Sequence, residues 1–327
     1  MSSLWQRVRR IAVPPDVPAG RRGLLRLAGL AIVAVFAVLA LERVDAGELW
    51  AALLSASPGF LLLAGASNVL SQWTRAARWA AVVHPPGVAL RARDAFAPLV
   101  AGYAVAIVVP ARAGDVVRAH LLARRTGLPT ASVLAAALLD YVVGTVTLAP
   151  LLALLALATP LPAWARQALL AFSAVGVGGF AAIWLLRPPP GHDPLAHRGA
   201  RGLLERLRGG LGAAHEPRAV AASLVWGLVG WGTELLVVLF ALAALGLPAT
   251  LAVGGLLVAA TTAANVISLS PGNAGPFEVA AVLVLAGLGV GAERALAFAL
   301  LYHACHLAPT GLIGAGVLLR AARLARA

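Results

Sequence analysis

The sequence predicts an all-α, polytopic membrane protein, and three observations lead to that fold class. Hydrophobic residues make up 61% of the 327-residue chain and charged residues only 12%, with a mean hydropathy of +0.88. Soluble domains are about 45–50% apolar. Apolar runs of about 20 residues, long enough to cross a hydrocarbon core, recur along the chain. In two places such a run is interrupted by Pro and Gly. We therefore expect about six full transmembrane helices and two re-entrant helical hairpins.

The six full spans are predicted from the apolar runs between clusters of charge. They cover residues 24–41, 60–79, 130–157, 167–186, 219–245 and 295–319. A basic segment 1–23 precedes a single transmembrane domain 24–320, and a basic tail 321–327 follows it. A basic linker, 187–218, divides the domain. A short amphipathic stretch in 42–58 is typical of an interfacial helix.

The distribution of arginine predicts the orientation of these spans. The chain carries 26 basic residues, all arginine, against 13 acidic ones, for a net charge of +13. Because the arginines cluster between apolar runs, the positive-inside rule accounts for them better than nucleic-acid binding does. With six spans and two hairpins, the outer loops hold Arg43, Arg166 and Arg294 alone. Both termini are then cytoplasmic, and Arg75 and Arg78 mark a cytoplasmic helix end.

The first helix break lies between Pro110 and Gly114, and the second between Pro271 and Gly275. The apolar segments around the first break, 95–109 and 115–125, are each too short to cross comfortably. Those around the second are 251–269 and 277–288. Irregular backbone survives at membrane depth only where protein buries it or it lines a watery cavity. A re-entrant hairpin at each break satisfies that requirement.

The two breaks also align with each other. Pro110 to Gly114 matches Pro271 to Gly275, and the stretch 127–141 matches 289–303, so the repeat cores are about 95–157 and 251–319. The predicted hairpins open to opposite sides of the membrane, which makes the repeat inverted. Inverted repeats with broken helices recur in transporters. The alternative is two unrelated helix breaks.

Polar groups near the breaks are the candidate functional residues, because an ionisable side chain at the bilayer centre costs at least about 2.5–3.5 kcal/mol. The candidates for binding substrate are Arg112, Arg118, Asn273 and Glu278. Those for gating or charge pairing are Asp115, Asp140 and Glu234. An arginine at a hairpin tip suits phosphate or carboxylate. Internal ion pairs that hold the hairpins together are the alternative.

No metal or cofactor site is predicted. His303 and His306 lie one helical turn apart, but no further ligand in the sequence completes a metal set. The single cysteine, Cys305, excludes an intrachain disulfide. An ATP-binding P-loop motif is absent from the sequence.

The run P-A-R-A-G-D-V-V-R, residues 110–118, resembles the membrane region of lysylphosphatidylglycerol synthases and related short flippase-like proteins. Pro110, Arg112, Gly114 and Arg118 match that family's first motif, with Asp115 in place of Glu. Pro271, Gly275 and Glu278 match its second motif. The chain departs from the pattern at Ala136 and Ala137, where the family often carries an acidic–basic pair. An aminoacyl-transferase domain is not present in these 327 residues, so the resemblance implies no synthase activity.

What the resemblance implies is a flippase that moves a phosphate-containing lipid between leaflets of the bacterial cytoplasmic (inner) membrane. Membrane phospholipid is the expected partner, with a second copy of the chain or a separately encoded lipid-modifying enzyme as a further one. Two alternatives remain. One is an accessory protein that presents lipid to a separate transferase without moving it. The other is an intramembrane enzyme using Asp140 with His303 or His306.

Overall fold

The computed structural model describes residues 44–83, 90–109, 113–186, 216–267 and 270–324. The predicted first span 24–41, the segment 1–23 and most of the linker 187–218 lie outside the described residues. So do two predicted site residues, Pro110 and Arg112. Everywhere the structure describes the chain, its regular elements are helices and no strand occurs.

Ten α-helices make up the described chain, and their boundaries lie within a few residues of the apolar runs. They are α1 (Ala46–Leu54), α2 (Pro58–Val82), α3 (Ala92–Val108), α4 (Ala113–Thr126), α5 (Thr130–Ala158), α6 (Ala163–Leu186), α7 (Pro217–Ala244), α8 (Leu251–Ile267), α9 (Pro276–Gly287) and α10 (Ala292–Leu324). A 3-10 turn, Pro271–Asn273, lies between α8 and α9.

Three of these helices, α5, α7 and α10, are long and apolar enough to cross a membrane. The pair α1 and α2, bent by 78° at its break, would make a fourth span. Large apolar side chains such as Leu62, Leu157 and Leu185 lie on the outer surface, as expected where lipid is the solvent. The all-α membrane class is confirmed, whereas the count of six spans stays a prediction.

Helices α3 and α4 fold back on each other around the first break. The Arg125 guanidinium, near the end of α4, donates to the Asp94 carbonyl near the start of α3. Closer to the break, a Cβ atom built on Gly102 would lie 2.6 Å from the Arg118 Cβ atom and 2.6 Å from the Gly114 carbonyl oxygen. Gly102 therefore lets the two helices approach to backbone contact.

The second break is a tight turn that lies against the end of α3. Gly272, Asn273 and Gly275 all adopt positive φ, at 59°, 61° and 94°, a region open to glycine and tolerated by asparagine. A Cβ atom on Gly272 would lie 3.5 Å from the Ile107 carbonyl oxygen at the end of α3. The described part of the second break therefore meets the last turn of α3.

The apolar core forms two main clusters, one on each side of this meeting point. The larger one is built mainly from α7, α8, α9 and α10. The second is built mainly from α2, α3, α4 and the first half of α5. Helix α2 lies between them, because it packs along α7 and also contacts α3 and α10.

Candidate functional site

Arg118, on the second helix of the first hairpin, is completely buried. Its Nε atom donates to Asp115 Oδ1 at 2.9 Å, and the Tyr141 hydroxyl donates to the same oxygen at 2.9 Å. These two residues form an ion pair within one helix, so the pair does not hold the two hairpins together. The pair accounts for only one of the three guanidinium nitrogens.

Aromatic rings surround the rest of the Arg118 guanidinium. Its Cζ atom lies 4.9 Å from the ring centroid of Trp79, 5.2 Å from that of Tyr141 and 5.6 Å from that of Tyr103. These rings stabilise a cation through their π faces. Within the described part of the chain, Nη1 and Nη2 of Arg118 and Nε1 of Trp79 have no hydrogen-bond partner. We call Arg118, Trp79, Tyr103 and Tyr141 the aromatic cage.

Asp140 lies close to this cage but pairs with a different arginine. Arg78, on α2, donates from Nε to Asp140 Oδ1 at 2.6 Å and from Nη2 to Oδ2 at 3.3 Å. Both side chains are more than nine-tenths buried. Gly144, one turn further along α5, leaves room for the Arg78 guanidinium, since a Cβ atom there would lie 2.9 Å from Nη1.

Glu234 is the centre of a second buried network, between α2, α7 and α10. Its Oε2 atom accepts from Arg75 Nη2 and from the Ser71 hydroxyl, both at 2.9 Å. Its Oε1 atom lies 2.6 Å from His306 Nε2. The predicted charge-pairing role of Glu234 therefore has a definite set of partners.

Glu278 follows the second break and binds both sides of its turn. Oε2 accepts from the Gly275 backbone N–H at 2.7 Å, and Oε1 lies 2.5 Å from His303 Nδ1. The other ring nitrogen of His303 lies 2.9 Å from the Gly272 carbonyl oxygen. Asn273, a predicted substrate ligand, is a half-buried residue of this turn.

The predicted pairing of Asp140 with His303 or His306 is not found. Asp140 binds Arg78 rather than either histidine, so the enzyme alternative loses its proposed acid–base pair. His303 and His306 each bind a different carboxylate, and among the described residues no group of three or more His, Cys, Asp or Glu could hold a metal ion. Arg112, predicted with Glu278 as a substrate-binding residue, lies outside the described residues.

Arg75 and Arg78 are the functional residues that sequence reasoning missed. Their pairing with Glu234 and Asp140 buries them inside the bundle, although the sequence analysis used them only as markers of a cytoplasmic helix end. A signal was available in their spacing. Arg75, Arg78 and Trp79 follow Ser71 at intervals that place all four on one face of α2.

A separate apolar cleft of about 460 Å³ lies between α6, α8 and α9, lined by residues including Trp164, Ala260 and Leu283. It has no charged lining residue, so it does not belong to the polar site.

The fold and these buried charges define a helical membrane protein whose polar groups form ion pairs between its helices. The chain belongs to the family of the lysylphosphatidylglycerol synthase transmembrane region, whose model matches residues 26–314. This membership gives the chain a membrane location and a lipid-related function. Neither the curated proteins nor the solved structures contain a match to the chain.

Proposed function

We propose that the protein moves a phosphate-containing lipid between the leaflets of the bacterial cytoplasmic membrane. The observation that carries this proposal is the state of Arg118. Its Nη1 and Nη2 atoms are buried donors without a partner within the described chain, and Trp79 Nε1, whose ring the guanidinium faces, is a third. Leaving a buried charged donor unsatisfied costs about 1–3 kcal/mol or more.

A phosphate diester would supply the missing hydrogen-bond partners of these buried donors, because at neutral pH it offers acceptors and no donors. Guanidinium binds phosphate in a bidentate manner, and the two free nitrogens of Arg118 present that geometry. Asp115 holds the third nitrogen and so orients the fork. Arg112 would meet the headgroup first, from the tip of the first hairpin, while the acyl chains stay in the bilayer.

A headgroup reaches Arg118 when the first hairpin moves against α2, and Asp115, Asp140 and Glu234 balance the arginine charges until then. Asn273 and Glu278 line the second half of the path.

The pairing on either side of the breaks supports the inverted repeat that this mechanism requires. Tyr141 aligns with His303 in the repeat. Tyr141 binds Asp115, the acid just beyond the first break, and His303 binds Glu278, the acid just beyond the second. We extend this to six spans and two re-entrant hairpins of opposite orientation, with both termini cytoplasmic.

The test is lipid movement in liposomes that contain the purified protein and a fluorescent phosphatidylglycerol. A membrane-impermeant quencher reports how fast inner-leaflet label reaches the outer leaflet. We expect Arg118→Gln to slow movement by about 10–100-fold, which corresponds to one or two charged hydrogen bonds. Trp79→Phe, which keeps the ring and removes one donor, should slow it by a smaller factor.

Arg166→Gln is the matched control, because Arg166 is an exposed arginine away from the site. Unchanged movement in Arg118→Gln and Trp79→Phe, with both folded as wild type, would contradict the assigned role. Absence of movement in the wild type would instead favour the accessory lipid-presenting protein.

A further inference from the structure

The hydrogen bonds of the His303–Glu278 pair bear on what drives lipid movement. A backbone carbonyl has no hydrogen to donate, so the His303 nitrogen that faces the Gly272 carbonyl at 2.9 Å must be the donor. The other ring nitrogen lies 2.5 Å from Glu278 Oε1. At that separation one more proton has to lie between nitrogen and oxygen.

The second carboxylate oxygen is consistent with that account. Glu278 Oε2 accepts the Gly275 N–H at 2.7 Å, so it is not the protonated oxygen. Neutral histidine and ionised glutamate would supply one proton to this arrangement, whereas hydrogen bonds at both contacts need two. The geometry is that of a pair able to hold a second proton.

We propose that His303 and Glu278 form a proton-binding site that couples lipid movement to proton movement. A proton taken from water on one side completes the Nδ1–Oε1 hydrogen bond, and the same proton returns to water on the other side. The coupling to lipid rests on the proposed function, whereas the proton site does not.

Losing the proton must disturb the turn at the second break. Neutral His303 has a single N–H group, so it can bind Glu278 or Gly272 but not both. The pair also changes from net neutral to a charge of −1 in a medium that disfavours unpaired charge. Gly272, Asn273 and Gly275 all have positive φ, so this turn depends on its surroundings to hold its shape. Gly272 contacts Ile107, and release of the turn would therefore free the first hairpin.

The His306–Glu234 pair resembles this site but is better compensated. His306 likewise lies between a backbone carbonyl, that of Tyr302, and a carboxylate, that of Glu234. Glu234, however, also accepts from Arg75 and Ser71, so its charge stays balanced when the proton leaves. Phe277 lies between the two histidine rings, with centroids 4.3 Å from His303 and 5.8 Å from His306, and separates the two pairs.

Titratable and charged groups near His303 come from several of the described helices. They include Tyr302, Cys305 and His306 on α10, Glu278 on α9, Glu234 on α7 and Arg75 on α2. Helix α3 meets α10 through the apolar residues Val100, Ala104 and Ile107. Glu293, beside α1, lies about 15 Å away along the helix. Glu278, with 17% of its side chain exposed against 6% for His303, is the more accessible member of the pair.

The first arm of the test measures the proton directly, by nitrogen NMR of ¹⁵N-histidine-labelled protein across a pH series. The His303 signals are those lost in His303→Gln and kept in the control His120→Gln. We expect both ring nitrogens of His303 to be protonated at low pH, with one proton leaving in a single transition. Glu278→Gln should move that transition by about one pH unit or more. A His303 ring that keeps one proton throughout would overturn the proposal.

The second arm compares lipid movement with and without a pH difference across the liposome membrane, with the membrane potential clamped. We expect the wild-type rate to change by up to about tenfold per pH unit, the ratio of proton activities. The double variant His303→Gln/Glu278→Gln keeps a neutral hydrogen-bonded pair, so the lipid movement that it retains, at whatever rate, should not respond to pH. A full response in that variant would overturn the coupling. If wild-type protein moves no lipid, the proposed function fails, and the NMR transition alone decides the proton site.

Discussion

Gly144→Ala tests the most completely buried ion pair of the molecule's first half. A Cβ atom at residue 144 would lie 2.9 Å from Nη1 and 3.1 Å from Nη2 of Arg78. A flexible arginine could normally yield, but this one is held by Asp140 at 2.6 Å. The Gly144 backbone is fixed too, because its carbonyl accepts from Trp231 Nε1 at 2.7 Å. The guanidinium must therefore move away from its carboxylate.

The size of the effect comes from two opposing terms. Overpacking a buried site costs about 1–3 kcal/mol, while replacing glycine by alanine inside a helix gains roughly 1 kcal/mol. Gly178→Ala on α6 isolates the second term, because a Cβ atom there would meet nothing within 4 Å. We expect Gly144→Ala to be less stable than Gly178→Ala by about 1–3 kcal/mol.

Intrinsic tryptophan fluorescence during heating in detergent is the assay. With an unfolding entropy of about 2.1 cal/mol/K per residue, 1 kcal/mol shifts the melting temperature of this 327-residue chain by about 1.5 °C, so the two variants should differ by about 1.5–4.5 °C. Equal melting temperatures would refute the argument that Arg78 cannot move. An exposed methyl group at 178 that destabilises the protein would invalidate the control.

Two further substitutions have expected outcomes in the same assay. Gly102→Ala should destabilise the protein more than Gly144→Ala does. The new methyl group would lie 2.6 Å from the Gly114 carbonyl oxygen, and a backbone atom cannot move away by changing rotamer. A melting temperature equal to that of Gly179→Ala would contradict this expectation. Asp140→Ala leaves the buried Arg78 charge without its carboxylate and should cost about 3–5 kcal/mol. Leucine at both positions 78 and 140 should recover most of that loss, and no recovery would show that the pair contributes more than mutual charge compensation.

Helices and their breaks were predictable because each is a local property of the chain. Apolar runs located α5 and α7 to within a few residues, since lipid-facing helices need continuous apolar sequence. Pro and Gly located both breaks. That the turn of the second break lies against the end of α3, through Gly272 and Ile107, was suggested by the repeat alone.

Ion-pair partners were not predictable to the same degree, because they depend on packing between distant segments. The sequence offered six acidic or basic candidates near the breaks, and only Asp115 and Arg118, three residues apart on one helix, were matched correctly. Arg78 and Asp140 are 62 positions apart. Counting arginines assigns every arginine near a span end to a membrane surface, so it cannot recognise one that is buried. The histidines were weighed as metal ligands and as partners of Asp140, whereas the carboxylates that they bind, Glu278 and Glu234, lie on other helices.

Helix α2 contributes Arg75 to the Glu234 network, and one turn further on it contributes Arg78 to the pair with Asp140 and Trp79 to the aromatic cage. A rigid helix cannot turn at one of these positions without turning at the next. A ligand that binds in the aromatic cage and favours one orientation of α2 would therefore also change the free energy of the Glu234 network. By linkage, a change in the Glu234 network would alter the affinity of the cage for that ligand by the same factor. One turn of α2 would thus couple the conformations of the two sites.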